Sequence, residues 1–316
     1  MTGQHDTAPT ARTVLVTGAA GGLGTAVTAH LAATGWTVVG ADAQPVPYRA
    51  HLAATAQGDL CDPAAVRAAF DTALERTPPD GLLDVVHLAA IPAPGIVDEY
   101  ETLRINTMSA YTVFQEAGRR TTHRIVGASS AAAIGLAWAD RDQAPRYLPI
   151  DENHPDLTVD SYGLSKQLSE QAAAFTTRRW GTTTVMLRFP FIGEGPRLEA
   201  RLAEVADDPA ANRRELWAWL HTKDAAEAVR AALTAPLTGH HVVNAAAPDT
   251  SAQLPTGDLL LAHYPETAIL AGIGRHGSLF DSTRAQRLLD FTPSHGWRTP
   301  EPSGPGAPSA PGRRRP

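Results

Sequence analysis

The stretch Thr13-Val14-Leu15-Val16-Thr17-Gly18-Ala19-Ala20-Gly21-Gly22-Leu23-Gly24 decides the fold class. Residues 13–17 are apolar or β-branched and read as a buried strand, and a helical pattern opens near residue 22. Between them Gly18, Gly21 and Gly24 recur at every third position, a Gly-x-x-Gly-x-x-Gly spacing rather than Gly-x-Gly-x-x-Gly. Glycines let a backbone turn tightly and let a pyrophosphate approach a helix N-terminus, where free N–H groups and the dipole favour anions. Gly18, Gly21, Gly22, Leu23 and Gly24 are therefore candidate contacts for a dinucleotide. A plain glycine-rich turn in a chain rich in alanine and glycine is the alternative.

The alternation continues downstream. Thr37–Ala41, Val85–Leu88, Arg124–Ala128 and Thr183–Leu187 read as further buried strands, with helical segments near 22–34, 63–77, 99–120 and 161–179. Strands alternating with helices at this length predict an α/β fold of Rossmann type, a doubly wound parallel sheet with helices on both faces. After Arg188 the pattern breaks, apart from a helix over Thr222–Thr234 and a strand over His241–Ala245. Residues 12–189 are read as the dinucleotide-binding domain. A small C-terminal substrate lobe is read over 190–298, with 222–247 returning to the main domain. The polar lead 1–11 and the Pro/Gly/Arg-rich tail 299–316 are expected to be disordered.

Asp42 ends the second strand, where a carboxylate can accept both ribose hydroxyls of NAD and would repel the phosphate of NADP. Neither Ala41 nor Ala43 supplies a cation for that phosphate. Asp59 and Leu60 follow a short third strand and could meet the adenine, although Asp59 could instead cap the helix beginning near Pro63.

Composition narrows the partners. The 316-residue chain has 43% hydrophobic and 19% charged residues and a net charge of −6, which gives no reason to expect nucleic acid. Its single cysteine, Cys61, excludes an internal disulfide and suits a reducing compartment. No apolar run approaches the about 18 residues of a membrane span, and the N-terminus lacks a signal-peptide core. A cytoplasmic location is expected. The histidines show no metal-ligand spacing, so no metal site is expected.

Chemistry concentrates later. Tyr162 and Lys166 stand four apart on a predicted helix, so phenol and ammonium can share one face. A nearby ammonium favours the phenolate and is expected to lower the tyrosine pKa. Ser129 and Ser130 end the Arg124–Ala128 strand, at the carboxyl edge where open α/β sheets bind ligands. A serine hydroxyl can polarise a carbonyl, a tyrosinate can remove a proton, and hydride can pass to a nicotinamide. Ser130, Tyr162 and Lys166 are the catalytic candidates.

The order of these pieces resembles an extended short-chain dehydrogenase/reductase, the group that includes NAD-dependent epimerases, dehydratases and uronate dehydrogenases. The matching residues are Thr17–Gly24, Asp42, Asp59-Leu60, His87-Leu88-Ala89-Ala90, Asn106, Ser129-Ser130, Tyr162–Lys166, Arg188 and Trp219–Asp224. The resemblance implies NAD as cofactor, with Leu88, Ala89 and Ala90 along its path, Asn106 in a proton relay, and Phe189–Ile192 near the nicotinamide. It also implies that Lys166 holds the nicotinamide ribose. A homodimer through the helices near 99–120 and 161–179 is expected by the same analogy, helped by the small face Ala172-Ala173-Ala174.

The short segment between Arg188 and His221 leaves little chain to grip a nucleotide diphosphate, which favours a small substrate. The layout is most like that of uronate dehydrogenases, with two departures. An asparagine after the serine pair is Ala131 here, and a serine of the following strand is Phe191. Ser129, Ala131, Phe191, Arg197, Arg201 and His221 are candidate substrate contacts. The guanidinium fork of Arg197 or Arg201 suits a carboxylate or phosphate, although both could be solvated helix residues. An insertion over 135–148, with Trp138, Arg141 and Arg146, could wall the substrate or be a functionless loop. The reading is an NAD-dependent oxidoreductase acting on a secondary alcohol or ketone of a small sugar-derived or polyol-like compound. An epimerase that keeps its NAD is the rival, and a non-enzymic dinucleotide sensor is disfavoured because Ser130, Tyr162 and Lys166 are all retained.

Overall fold

In the computed structural model, residues 11–298 are described. The expected lead and tail, except Ala11, lie outside these residues. Seven strands form one parallel sheet: β1 (Arg12–Thr17), β2 (Thr37–Asp42), β3 (Leu52–Gln57), β4 (Leu82–His87), β5 (Arg124–Ser130), β7 (Thr183–Phe189) and β10 (His240–Asn244). Their order is β10-β7-β5-β4-β1-β2-β3, so the chain reverses direction across the sheet between β1 and β4. Such a reversal opens a crevice at the carboxyl ends of the strands. The inner strands are buried along nearly their whole length because helices cover both faces.

Helices α2 (Pro63–Leu74), α3 (Glu99–Arg119) and α4 (Ser161–Trp180) share one apolar cluster with one face of the sheet. On the other face α1 (Gly22–Ala33), α6 (Thr222–Thr234) and α8 (Thr283–Leu289) share another. Each apolar face is removed from water this way, the main favourable term of folding. Within α4, Ala173 is fully buried against the sheet, so the alanine run serves the core at that position.

Other elements pack around a third cluster built on Trp217, Leu216, Leu148 and Ile150 and a small fourth one of Leu198, Trp219 and Ala247. They are β6 (Tyr147–Leu148) paired with β11 (Ala268–Ile269), β8 (Phe191–Gly193) paired with β9 (Trp219–His221), α5 (Gly195–Asp207), a 3₁₀ segment Pro209–Glu215 and α7 (Thr256–His263). Two boundaries differ from the sequence reading. The end of the 135–148 insertion belongs to this outer cluster, because Tyr147–Leu148 pairs with β11. Conversely, Ala285, Leu289 and Phe291 pack on the main core beside α6.

Candidate active site

The glycine loop shows why its residue types are required. Gly18 has φ +74°, and a Cβ there would stand 2.6 Å from the backbone nitrogen of Ala89. A Cβ on Gly24 would meet the Gly18 carbonyl oxygen at 2.0 Å, so α1 can pack on the loop only through hydrogen. Gly22 faces open space, and the α1 N-cap, Gly21, makes no side-chain capping bond. The first N–H groups of α1 are thus left for an anion. Gly22, Leu23, Leu88 and Ala90 line the end of a cavity of about 780 Å³, with Ala89 held against Gly18 behind them. The unpaired N–H groups beside Gly22 suit an anion such as a pyrophosphate.

Asp42 lies at the tip of β2 with one carboxylate oxygen accepting from Ala20 N–H at 3.0 Å and the other from Gln44 N–H at 3.0 Å. Each oxygen keeps a lone pair for a ribose hydroxyl. The sequence reading missed Arg49, which donates to the Ala19 carbonyl at 2.9 Å and to Thr25 Oγ1 at 2.8 Å and so braces the loop. No local pattern pointed to it, because the loop between β2 and β3 brings it back in space. Asp59 does not cap α2. Asp62 does, accepting from Ala64 N–H at 2.8 Å, while Asp59 accepts from Cys61 N–H at 2.9 Å and Leu60 is buried.

Asn106 is buried on α3 and is committed to the chain after β4. Its Oδ1 accepts from Ile91 N–H at 2.7 Å, and its Nδ2 donates to the Ile91 carbonyl and to Ser165 Oγ, both at 3.1 Å. Its side-chain donors and acceptor touch neither Tyr162 nor Lys166.

Tyr162 and Lys166 face the same cavity from the first turns of α4, which Asp160 caps through Gly163 N–H at 2.7 Å. Ser130 joins them from the tip of β5, its Oγ accepting from Ala132 N–H at 3.1 Å. That bond leaves the hydroxyl proton free to be donated into the cavity. The Lys166 ammonium lies 5.6 Å from the centre of the Tyr162 ring and donates to the Ala128 carbonyl at 3.1 Å. Burial pushes its pKa down to about 8, against the pull of Glu170.

One expectation is corrected here. The pKa of Tyr162 is raised, chiefly by burial, with the Ser130 hydroxyl pulling it down and Asp160 pushing it up. The Lys166 ammonium stands over the ring and bonds a carbonyl instead of the phenol oxygen. Nearby His87 is fully enclosed, 2.8 Å from Thr17 Oγ1, and burial together with Lys166 drives its pKa down to about 3.

Ser129 has a partner of its own within the protein. Its Oγ donates to Glu170 at 2.5 Å, and Arg188 binds the same carboxylate through Nε at 2.8 Å and Nη2 at 2.9 Å. Ser129 lines the cavity beside Ser130, but its hydroxyl is committed to Glu170.

Phe189, Phe191 and Ala131 also line the cavity, as do three arginines, Arg197, Arg201 and Arg214, and the carboxylates Glu194 and Glu215. Arg197 and Arg201 both stack on the Phe191 ring, at 4.9 and 4.3 Å. Arg201 is paired with Glu215 at 3.1 Å, whereas Arg197 uses only its Nε, on the Ile192 carbonyl at 2.9 Å. Arg214, unnoticed in the sequence, also lines the cavity and binds the Ala139 carbonyl. Of the insertion, Leu136, Ala137 and Trp138 wall the cavity, but Arg141 and Arg146 do not. His221 is not part of the lining. It caps α6 through Lys223 N–H at 3.2 Å and stacks on His295 at 4.4 Å. Among the described residues no group of three or more His, Cys, Asp or Glu is placed to hold a metal ion.

The chain is 28% identical over 231 residues to a uronate dehydrogenase of Pseudomonas putida, covering 73% of this chain and 74% of that one. It is 30% identical over 199 residues to a UDP-glucose 4-epimerase of Rhizobium leguminosarum, covering 61% of this chain and only 55% of that relative's length. A short-chain dehydrogenase/reductase superfamily protein of Agrobacterium tumefaciens, solved with bound NAD, shares the fold with a TM-score of 0.66 at 24% identity, over 90% of this chain and 93% of that one. The model of the NAD dependent epimerase/dehydratase family matches residues 14–246, and the chain belongs to that family, whose cofactor is NAD.

Proposed function

We propose that the protein is an NAD-dependent oxidoreductase that moves a hydride between NAD and a secondary alcohol or ketone of a small sugar-derived compound. The observation that carries this reading is the convergence of Ser130, Tyr162 and Lys166 on one cavity that Arg197 also lines. Gly22, Leu23 and the α1 N-terminus would hold the pyrophosphate, Asp42 the adenosine ribose, and Lys166 the nicotinamide ribose. Lys166 has one bond to Ala128, so two of its three donors remain for those hydroxyls. Bound NAD supplies the hydride acceptor and a cationic ring.

Ser130 donates its free proton to the substrate oxygen and orients it. Tyr162 takes the hydroxyl proton during oxidation and returns it during reduction. Its raised pKa keeps the phenol protonated at neutral pH, ready to act as the acid, and a positive charge beside it favours the phenolate needed as base. Arg197 is suited to an anionic group on the substrate, and the paired Arg201 to a neutral hydroxyl-bearing face. The Leu136–Trp138 wall supports a substrate of single-sugar size.

The epimerase relative keeps a second reading open, in which NAD stays bound and the hydride returns to the opposite face. Native mass spectrometry of the purified protein before and after dialysis separates them. Retained NAD would favour the epimerase. Reversible uptake, with NADH formed from uronic acids or polyols, is expected for the dehydrogenase.

A homodimer is part of the proposal. Met108 and Tyr111 on α3 and Leu164, Leu168 and Phe175 on α4 are exposed large apolar side chains, and the Tyr111 and Phe175 rings lie 6.4 Å apart. A cytoplasmic location is proposed as well. Among the described residues no helix is long and apolar enough to cross a membrane.

A further inference from the structure

The tip of β5 meets α4 at three points in succession. Ser130 stands beside Tyr162, the Ala128 carbonyl takes Lys166, and Ser129 takes Glu170. These helix residues are spaced by four, so each helical turn is tied to one residue of the strand tip. Arg188 pairs with Ser129 in the β5–β7 register and closes both oxygens of Glu170. The carboxylate and guanidinium side chains are 8% and 12% exposed, so the pair is held in a setting where its field is only weakly screened.

We propose that Glu170, fixed by Ser129 and Arg188, is a positioning residue that keeps the Lys166 ammonium charged and registers α4 on the tip of β5. It rests on the reading of Lys166 as an NAD ligand. Glu170 acts through Lys166, whose charge burial disfavours. Charged and titratable groups facing Lys166 are Tyr162 and Glu170 on its own helix and His87 at the end of β4, with Arg188 on β7 behind the carboxylate. His87 is neutral, and Glu170, one helical turn from Lys166 on the same helix, is the group that supports the ammonium.

The test is the pH dependence of NAD affinity, measured by titration calorimetry on the full chain, and it needs no substrate. Wild-type affinity should fall as pH rises through the Lys166 pKa. In Glu170→Gln the midpoint of that fall should drop by about half a pH unit or more. Glu170→Asp keeps the charge and should stay near the wild-type midpoint. Glu170→Leu/Arg188→Met replaces the ion pair by apolar groups and guards against a variant that fails to fold. It should also lower the midpoint, because Glu170 and not Arg188 acts on the ammonium. A Glu170→Gln or double variant that melts earlier yet retains the wild-type midpoint would assign the cluster a structural role alone and overturn the proposal. Absence of any pH-dependent step in the wild type, with NAD still bound, would instead remove Lys166 as the ligand on which it rests.

Discussion

Lys166 Nζ donates to the carbonyl oxygen of Ala128 at 3.1 Å, and this bond aims its other two donors into the cavity. The ammonium is fully enclosed and would not be tolerated there without such partners. Lys166→Met should therefore weaken NAD binding about ten-fold or more, as expected for loss of hydrogen bonds from a charged group. It should also abolish the alkaline loss of affinity. Calorimetric titration across pH 6–10 reads both.

Tyr162 and Ser130 have separable duties. Tyr162→Phe should lower kcat by about a hundred- to ten-thousand-fold while NAD still binds, because only proton transfer is removed. Ser130→Ala should lower kcat in the same way but also free the Ala132 N–H it now satisfies. Steady-state kinetics on the substrate found in the screen, beside NAD titrations, would reveal the split. An unchanged kcat in Tyr162→Phe would refute the assignment.

Glycines of the loop should fail in two ways. Gly24→Ala places a Cβ against the Gly18 carbonyl, so its melting temperature should drop together with NAD affinity. Gly22→Ala has room in the protein and should melt like the wild type. It should nevertheless bind NAD more weakly, because the methyl group stands where the phosphates approach. Thermal melts with and without NAD distinguish the two outcomes.

His87 makes the fold sensitive to acid. Its folded pKa, about 3, lies below the ordinary histidine value, so the unfolded chain binds the proton more readily. The neutral ring is tolerated at no linkage cost above about pH 6.5, and stability is lost as pH falls from there toward 3. His87→Gln keeps a polar partner for Thr17 but cannot titrate. Its melting temperature should decline less between pH 7 and 4 than that of the wild type.

Arg197 is the cavity-lining guanidinium with terminal nitrogens unpaired among the described side chains and carbonyls. Arg197→Ala should raise KM about ten- to a hundred-fold for an anionic substrate and leave kcat nearly unchanged. Equal turnover of charged and neutral analogues by the wild type would count against the anion-binding role.

Local pattern was enough for the parallel sheet, the glycine loop and the pairing of Tyr162 with Lys166. Strand and helix periodicities, glycine spacing and positions four apart on a helix are properties of a few adjacent residues. They survive folding because the main core rewards the same alternation that the chain encodes. What depended on distant chain segments could not be read. Arg49 returns to the loop across a turn, Arg214 reaches the cavity from the 3₁₀ segment, and α8 crosses to cover the main core. Electrostatics belonged to the folded state as well. The expected fall in the Tyr162 pKa became a rise because burial outweighs an ammonium that bonds Ala128 instead. Likewise, only the alignment of Ser129 with Arg188 across β5 and β7 revealed that Ser129 serves Glu170. Spacing can bring two groups to one face, but desolvation and partner choice are decided by everything else packed against them.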